Sequence, residues 1–353
     1  MLYFSNKDRV LFFQEPTCFN KYTEKDVLKF AIGANMYIPA TKHHIFEKLI
    51  NNEFHEVGAI TFCCEDAIPV GAVAEAESNI LNILKCLDRR YKKDKELLNQ
   101  LPLIFIRVRN VEQFRSFSKK LTKSMLKFLA GFNFPKFTSQ NGSEYFSILK
   151  NLSEKHKDVL YGMPILESEE IVEKETRFTE LHKIQDILNE YSDFVLNIRV
   201  GGTDFSSMFG LRRSVDKTIY DIKVISDCLM DILNFFLRKN QGYVISGPVW
   251  EYFSYKENSK EIVGLKKELD LDIQNGFQGK TIIHPSQINV VNEKYIVPYH
   301  DFIDAVNILN SHGGVFKSSE GNRMNEVAPH TNWATKIVSR AKIFGVLEKD
   351  AKI

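Results

Sequence analysis

The sequence predicts an α/β protein, a (β/α)8 TIM barrel with a C-terminal helical extension. Eight short apolar runs recur along the chain, most of them are separated by helical patterns, and two of them end beside a lone acid. Such a barrel takes about 250 residues, so a chain of 353 residues accommodates one barrel and an extension. We expect an N-terminal extension over residues 1–30, the barrel over 31–297 and the helical extension over 298–353.

The first two predicted strands are apolar runs that helical patterns follow. Residues 34–40 form the first run, which stops at a proline, and residues 58–64 form the second. The first helical pattern covers residues 43–50. The second keeps aliphatic side chains on one side, as a core-facing helix does. These side chains are Ile80, Leu81, Ile83, Leu84 and Leu87.

The third and fourth predicted strands flank an aromatic stripe. Residues 103–106 form the third strand and residues 131–137 the fourth. Between them, residues 114–128 repeat large apolar side chains at spacings of three and four, which predicts one helix. We interpret this stripe as core packing, because large apolar side chains are most often buried.

The last four predicted strands carry the polar residues of interest. Residues 161–168 form a buried-strand pattern that ends at Glu167, and the next strand ends at residue 200. Gly201 and Gly202 follow this strand, and Asp204 comes directly after them. A charged amphipathic helix is expected between these two strands, and further strands at residues 243–248 and 279–287 complete the set.

The region after the barrel pattern reads as two helices separated by a glycine break. The helices are expected over residues 302–309 and 333–344, with Gly313 and Gly314 between them. We expect this tail to leave the barrel and to pack on a neighbouring subunit or to cover its own site. Residues 1–30 predict no particular element.

Composition excludes several classes of protein. A net charge of +2 offers no basic surface for nucleic acid or an anionic membrane. Five cysteines without CxxC spacing indicate reduced thiols in a cytosolic protein. No secretory segment opens the chain, and no apolar run is long enough to span a bilayer. We therefore expect a cytoplasmic protein with no nucleic-acid or membrane partner.

Glu167 and Asp204 form the first candidate site. Both follow predicted strands, and active sites of parallel barrels form at the carboxyl ends of the strands. Two such acids can chelate one hard cation and leave positions open for substrate. Taken singly, Glu167 also fits a surface acid at the start of a loop, and Asp204 also fits the N-cap of the next helix.

Six segments at predicted strand ends carry a family resemblance. They are Glu65-Asp66-Ala67, Ile106-Arg107-Val108, Pro135-Lys136, Ile165-Leu166-Glu167-Ser168, Gly201-Gly202-Thr203-Asp204 and Ile283-His284-Pro285-Ser286-Gln287. In this order they resemble the citrate lyase β-subunit / HpcH–HpaI aldolase superfamily, carbon–carbon bond lyases on a TIM barrel. Cys63 stands where the family has an aspartate, and Arg109 where it has an asparagine. The chain thus resembles a divergent branch, like the lyase-like barrels encoded beside bacterial tellurium-resistance and stress genes.

The resemblance implies cleavage of a carbon–carbon bond next to a carbonyl, in a small oxo- or hydroxy-acid or its CoA thioester. The implied cofactor is Mg²⁺, held by Glu167 and Asp204, and Mn²⁺ suits the same oxygen ligands. Arg107 is the implied partner of the substrate carboxylate or of the enolate. Glu65 and Asp66 are expected to orient Arg107 or a water beside the ion. A structural ion pair of Arg107 with either acid is the alternative, and both roles can hold at once.

Further residues receive weaker assignments. Lys136 is a candidate for substrate binding, although a salt bridge with the acids at the rim explains it as well. Gly201 and Gly202 either let the backbone approach a ligand or adopt a positive φ. Arg212, with Arg213 beside it, either reaches a phosphate of a CoA thioester or lies on a solvated face. For His284, holding a loop by hydrogen bonds is a better explanation than general-base catalysis.

The general base is sought in the C-terminal tail. In relatives that activate a thioester carbon, an acid from this tail enters the site of a neighbouring subunit, and Glu326 stands near the matching place. This implies a homo-oligomer, a trimer by resemblance. Two other functions stay open: a condensing synthase of the same superfamily, and a non-catalytic barrel that binds a metal or a ligand.

Overall fold

The computed structural model describes residues 1–4, 11–51, 53–54, 56–239 and 241–351. Its central element is a parallel sheet of eight strands. The strands of the described ranges, in chain order, are β1 (Phe12–Gln14), β2 (Ala34–Pro39), β3 (Ala59–Cys63), β4 (Leu103–Arg107), β5 (Leu129–Phe134), β6 (Tyr161–Leu166), β7 (Ile198–Val200), β8 (Ile245–Ser246), β9 (Lys280–Ile282), β10 (Val315–Lys317), β11 (Met324–Glu326) and β12 (Val346–Leu347).

Helices fill the connections between the barrel strands and form most of the C-terminal region. Those in the described ranges are α1 (Lys25–Leu28), α2 (Ile45–Ile50), α3 (Val73–Lys93), α4 (Leu97–Gln100), α5 (Val111–Ser118), α6 (Lys123–Leu126), α7 (Gly142–His156), α8 (Glu169–Val172), α9 (Lys174–Glu190), α10 (Gly202–Met208), α11 (Lys223–Phe236), α12 (Lys260–Asn275), α13 (Ile288–Tyr295), α14 (Tyr299–Asn310) and α15 (Val327–Phe344). Short 3₁₀ helices occur at Val70–Ala72, Ser192–Phe194, Ile219–Asp221 and Pro285–Gln287.

The eight-stranded sheet closes into a barrel. Hydrogen-bonded neighbours follow the order β8-β7-β6-β5-β4-β3-β2-β9, and a parallel bridge between Gly247 and Lys280 joins the two end strands. Every residue of β3, β4, β5 and β6 is buried, as expected for parallel strands covered on both faces. The predicted fold class is therefore confirmed, and all eight predicted strands are present. The last one, predicted over residues 279–287, already ends at Ile282, because a 3₁₀ helix with Pro285 at its first position follows.

The aromatic stripe after β4 forms two helices, not the single helix predicted over residues 114–128. α5 ends at Ser118 and α6 begins at Lys123, because Thr122 between them takes an extended conformation. A β-branched residue favours this conformation over a helical one. The interpretation of the stripe as core is confirmed, since its five large side chains are all buried. These are Phe114, Phe117, Leu121, Met125 and Phe128.

Both terminal segments cover the amino ends of the barrel strands. The buried Tyr3 hydroxyl donates to the carbonyl of Ala31, just before β2, at 2.8 Å. Tyr3 stacks on Phe344 from α15, with ring centroids 4.6 Å apart. A Cβ on Gly58, just before β3, would lie 1.6 Å from the Tyr3 hydroxyl oxygen, so this close approach requires a glycine. β1 also pairs with β12.

The C-terminal tail packs on this same end, because α15 contacts α1, α13 and α14. One of our two alternatives expected the tail to cover the strand-end site of its own chain. This alternative is wrong, because the tail lies at the other end of the barrel. Packing on a neighbouring subunit stays a prediction, as do the domain boundaries after residues 30 and 297. All five cysteines lie in the described ranges and are free. Within those ranges, no helix combines the length and apolarity needed to cross a membrane.

Candidate active site

The predicted strand-end residues converge at the carboxyl end of the barrel. The register explains this convergence, because Arg107 at the end of β4 lies beside Cys63 of β3 and Asn133 of β5. Leu166 and Val200, the last residues of β6 and β7, are also direct neighbours. We call the charged residues that meet here the strand-end cluster. Its members are Glu65, Asp66, Arg107, Lys136, Glu167 and Asp204.

Arg107 contacts three of the four acids in this cluster. Its Nη2 lies 2.6 Å from Glu65 Oε2, 3.0 Å from Glu167 Oε1 and 3.3 Å from Asp66 Oδ2. The guanidinium is mostly buried, and its Nε has no hydrogen-bond partner among the described residues. The pairing with Glu65 and Asp66 is the structural ion pair that the sequence left open. The unpaired Nε keeps one donor available to a ligand.

Glu167 is almost completely buried. Its Oε1 also accepts the backbone N–H of Lys136 at 2.9 Å, which the left-handed backbone of Lys136 (φ 47°) presents to it. Burial raises the pKa of the Glu167 carboxyl to about 7, although the positive charges of Arg107 and Lys136 act in the opposite direction. Burial likewise raises the pKa of Glu65. Glu167 is thus a carboxylate that lacks sufficient compensating positive charge.

Lys136 brings its ammonium group between the four acids. Its Nζ contacts Asp204 Oδ1 and lies 3.6 Å from Asp66, 3.8 Å from Glu167 and 3.9 Å from Glu65. Burial opposes the charged form of Lys136, but these carboxylates outweigh it and raise the pKa of the ammonium. The rim salt bridge considered from sequence is present, and it includes both predicted metal ligands.

The charges of the cluster do not balance. Two positive groups, Arg107 and Lys136, face the four carboxylates of Glu65, Asp66, Glu167 and Asp204. With all four acids ionised, the cluster is two positive charges short of neutrality. A divalent cation supplies this amount.

Glu167 and Asp204 both point toward the space beside Gly201. A Cβ built on Gly201 would lie 2.5 Å from Glu167 Oε2 and 3.2 Å from Asp204 Oδ2, so both oxygens converge on the space that this glycine leaves free. Among the residues that the structure describes, no group of three or more His, Cys, Asp or Glu side chains could hold a metal. A pair of carboxylates suits Mg²⁺, which keeps several waters and needs only one or two carboxylates from the protein.

The cluster opens into a cavity of about 490 Å³, a size typical of small-molecule sites. Arg107, Glu167 and Asp204 line it, and Gly201 and Gly202 contribute to its wall. Deeper in the barrel, the cavity reaches a residue that our sequence reasoning missed. This residue is Arg199 of β7, which is 2% exposed. A charged residue inside an otherwise apolar strand was the signal that could have found it.

Other predicted residues lie outside the cavity lining. Arg212 is exposed after α10, and its neighbour Arg213 is buried in an ion pair with Glu268 at 2.5 Å. His284 caps the 3₁₀ helix at Pro285–Gln287 through its Nδ1, which is 2.9 Å from the Ser286 hydroxyl, as a loop-holding histidine would. Glu326 ends β11 and directly precedes α15, whose Pro329 lines a cavity with Val244, at the amino end of β8. Its role and that of Arg212 stay predictions.

The fold and this cluster define an α/β barrel with an acidic strand-end site. The family described as C-C bond lyase of the TIM-barrel fold matches residues 26–346, so the chain belongs to this family. The family resemblance that the strand-end segments carry is thereby confirmed. A comparison with curated protein sequences returned no match.

Solved structures share this fold at low sequence identity. A citrate lyase from Burkholderia xenovorans is 14% identical, with a TM-score of 0.65 over 88% of this chain and 92% of that one. Protein CitE from Mycobacterium tuberculosis, in complex with magnesium, acetoacetate and coenzyme A, is 16% identical, with a TM-score of 0.55 over 89% and 99%. A lead(II) complex of Haloferax volcanii malate synthase is 10% identical, with a TM-score of 0.56 over 76% and 74%.

Proposed function

We propose that this protein is a cytoplasmic, Mg²⁺-dependent carbon–carbon bond lyase that acts on a small oxo- or hydroxy-acid, free or as a CoA thioester. The observation that carries this proposal is the charge-deficient cluster, in which Glu167 and Asp204 converge beside Arg107 at the mouth of a cavity. The similar CitE protein was crystallised with magnesium, acetoacetate and coenzyme A, which supports the same classes of ligand here.

Glu167 and Asp204 would hold the ion. When bound, Mg²⁺ supplies Lewis-acid stabilisation of an enolate oxygen and orients the acid. The ammonium of Lys136 lies between the two ligands, so it must withdraw when the cation binds. Lys136 is about half exposed, and movement toward solvent costs it little packing.

Arg107 would donate to the substrate carboxylate or to the negative charge that develops when the bond breaks. Its contacts with Glu65 and Glu167 hold the guanidinium in place before the substrate arrives. A preorganised donor of this kind is worth about 3–4 kcal/mol of transition-state stabilisation. Glu65 and Asp66 thus act through the position of Arg107, as the sequence suggested.

The general base is proposed to come from another copy of the chain. Glu326 lies on the tail at the opposite end of its own barrel, so it can reach a strand-end cluster only in an oligomer. A trimer is the state that the family resemblance implies. The same residues could serve the condensing direction, and the balance of substrates and products sets the direction of a reversible reaction.

Calorimetric titration tests this function. Pyruvate, glyoxylate and oxaloacetate would be titrated with and without Mg²⁺ into wild type and Asp204→Asn. We expect binding that requires the metal in wild type and is lost in the variant. Asp186→Asn, an exposed acid on α9, is the matched control and should bind like wild type. If no acid binds wild type under any metal condition, the proposal of oxo-acid lyase chemistry fails.

A further inference from the structure

Arg199 lies inside the barrel below the strand-end cluster. It is the middle residue of β7, beside Ile165 of β6 and Ser246 of β8. Its Nη2 donates to the Thr281 hydroxyl of β9, and its guanidinium carbon is 5.7 Å from the ring centroid of Tyr37 of β2. The side chain therefore crosses the barrel interior and forms part of the cavity floor.

This guanidinium lacks an anionic partner. Arg199 Nε and Nη1 are buried without a hydrogen-bond acceptor, and no carboxylate in the described part of the chain forms an ion pair with it. The three other arginines that are buried in the described part of the chain are each paired with acids. Arg107 contacts Glu65 and Glu167, Arg177 contacts Asp227 and Asp231, and Arg213 contacts Glu268.

A buried guanidinium stays charged, because its ordinary pKa is far above neutrality. Such a charge is unfavourable unless an anion and further hydrogen bonds compensate it. Thr281 and Tyr37 are neutral partners, and within the described residues no carboxylate compensates the charge of Arg199, yet it faces a cavity that is open to solvent at the cluster. A ligand that enters this cavity can therefore provide the missing anion.

The groups around Arg199 suit an acidic oxygen. The Tyr37 hydroxyl accepts from Asn133 Nδ2 at 2.9 Å and so retains its own proton to donate. Asn35, which lies beside Thr281 in the sheet, has a buried amide nitrogen with no acceptor. Among the described residues in this part of the barrel, hydrogen-bond donors without a partner outnumber acceptors without a partner. The one such acceptor here is Asn133 Oδ1.

We propose that Arg199 binds a second carboxylate of the substrate and selects dicarboxylic oxo- or hydroxy-acids. The first acidic end lies at the strand-end cluster, and the second extends along the barrel axis to Arg199, Tyr37 and Thr281. This inference rests on the proposed function and names its substrate class. Arg199 acts here as a specificity residue, and it takes no part in breaking the bond.

Competing acids test the proposal. Affinities of oxaloacetate and pyruvate would be measured by calorimetry with Mg²⁺ for wild type, Arg199→Gln and Arg199→Lys. Wild type should bind the diacid at least about tenfold more tightly than the monoacid, as a charged hydrogen bond allows. Arg199→Gln should lose that preference and keep its affinity for pyruvate and for Mg²⁺, whereas Arg199→Lys should recover part of the preference. An equal loss for both acids would overturn the proposal and indicate a structural role.

A second measurement uses wild type alone, so that misfolding of a variant does not decide the result. Oxaloacetate should raise the melting temperature more than pyruvate at equal concentration. If both acids bind with the metal but equally well, the specificity of Arg199 is disproved and the lyase proposal stands. Diacid binding that needs Arg199 and not Mg²⁺ would support the anion site and refute the metal-dependent function. If neither acid binds, both proposals fail.

Discussion

Two clusters of buried or half-buried charged residues in this barrel differ in their balance of positive and negative charge and in their access to solvent. In the first, which we call the closed cluster, Lys280 lies 3.0 Å from Glu268 and 2.6 Å from Asp272, and all three side chains are fully buried. Arg213 adds a second positive charge beside Glu268, so two cations face the two fully buried acids. Arg213 Nε also lies 3.6 Å from Glu251, a carboxylate that is partly exposed. The strand-end cluster instead has two cations for four acids and borders a cavity.

The comparison distinguishes a structural network from a binding site. In the closed cluster, the Tyr220 hydroxyl and the backbone N–H of Ile219 supply further hydrogen bonds to the acids. Buried charges that are paired and hydrogen-bonded in this way hold strands and helices together. At the strand ends, two cations face four carboxylates beside a cavity, and the proposed function places a divalent cation there. Each prediction below tests one side of this contrast.

The largest effect is expected from Glu326→Gln, which tests whether a second copy of the chain completes the strand-end cluster. Turnover should fall by about 10²–10⁴-fold, because the variant removes a general base. Mg²⁺ binding by calorimetry should stay unchanged, since the metal ligands belong to the barrel. Glu320→Gln, exposed in the same tail, is the control and should retain activity. Unchanged turnover in Glu326→Gln would rule out this residue as the base.

Lys280→Met tests the closed cluster. The variant leaves Glu268 and Asp272 buried with too little positive charge, and this should lower the free energy of unfolding by about 3–5 kcal/mol. Urea denaturation measures the change. Lys294→Met breaks a more exposed pair with Asp270 and should cost less than about 0.5 kcal/mol. A loss below about 1 kcal/mol for Lys280→Met would mean that the closed cluster is not a stabilising network.

The pH dependence of the stability of the metal-free protein tests the strand-end cluster. Burial raises the pKa of Glu167 from 4.5 to about 7, so between these values the folded state keeps a proton that the unfolded state releases. Stability should therefore fall as pH rises through this window, by on the order of 1–3 kcal/mol, and level off above it. Urea denaturation at pH 5 and pH 8 without metal measures the fall.

Two controls accompany this measurement. Glu167→Gln should show a flatter profile over the same window, and Mg²⁺ added at pH 8 should restore stability to wild type because it binds only the folded state. A wild-type profile that rises steadily from pH 5 to pH 8 would contradict the charge deficit.

Lys136→Met is expected to have the smallest effect. The variant removes the ammonium between Glu167 and Asp204, and with it a positive charge that repels the cation. Mg²⁺ should therefore bind about tenfold more tightly. Titration calorimetry measures the affinity. Lys155→Met, exposed on α7, should leave it unchanged. Weaker Mg²⁺ binding in Lys136→Met would show that Lys136 supports the metal site and does not compete for it.

The amino-acid sequence by itself determined the strands and the location of the site. Apolar runs that end in glycine, proline or charged residues are local signals, and they predicted all eight strands of the barrel. Because parallel strands have aligned carboxyl ends, Glu167 and Asp204 could be expected to meet without knowledge of their distance. The family followed from the same strand-end segments.

Only the tertiary structure decided which charges are paired, and where the tail lies. Arg199 appeared in a strand that we had read as apolar, and its lack of an acid partner depends on the residues facing it across the barrel. Arg213 looked like its neighbour Arg212 in sequence, yet it pairs with a buried acid of α12. The tail covers the amino ends of the strands because Phe344 meets Tyr3 there. Burial and charge balance arise from contacts between distant residues, which local patterns do not encode.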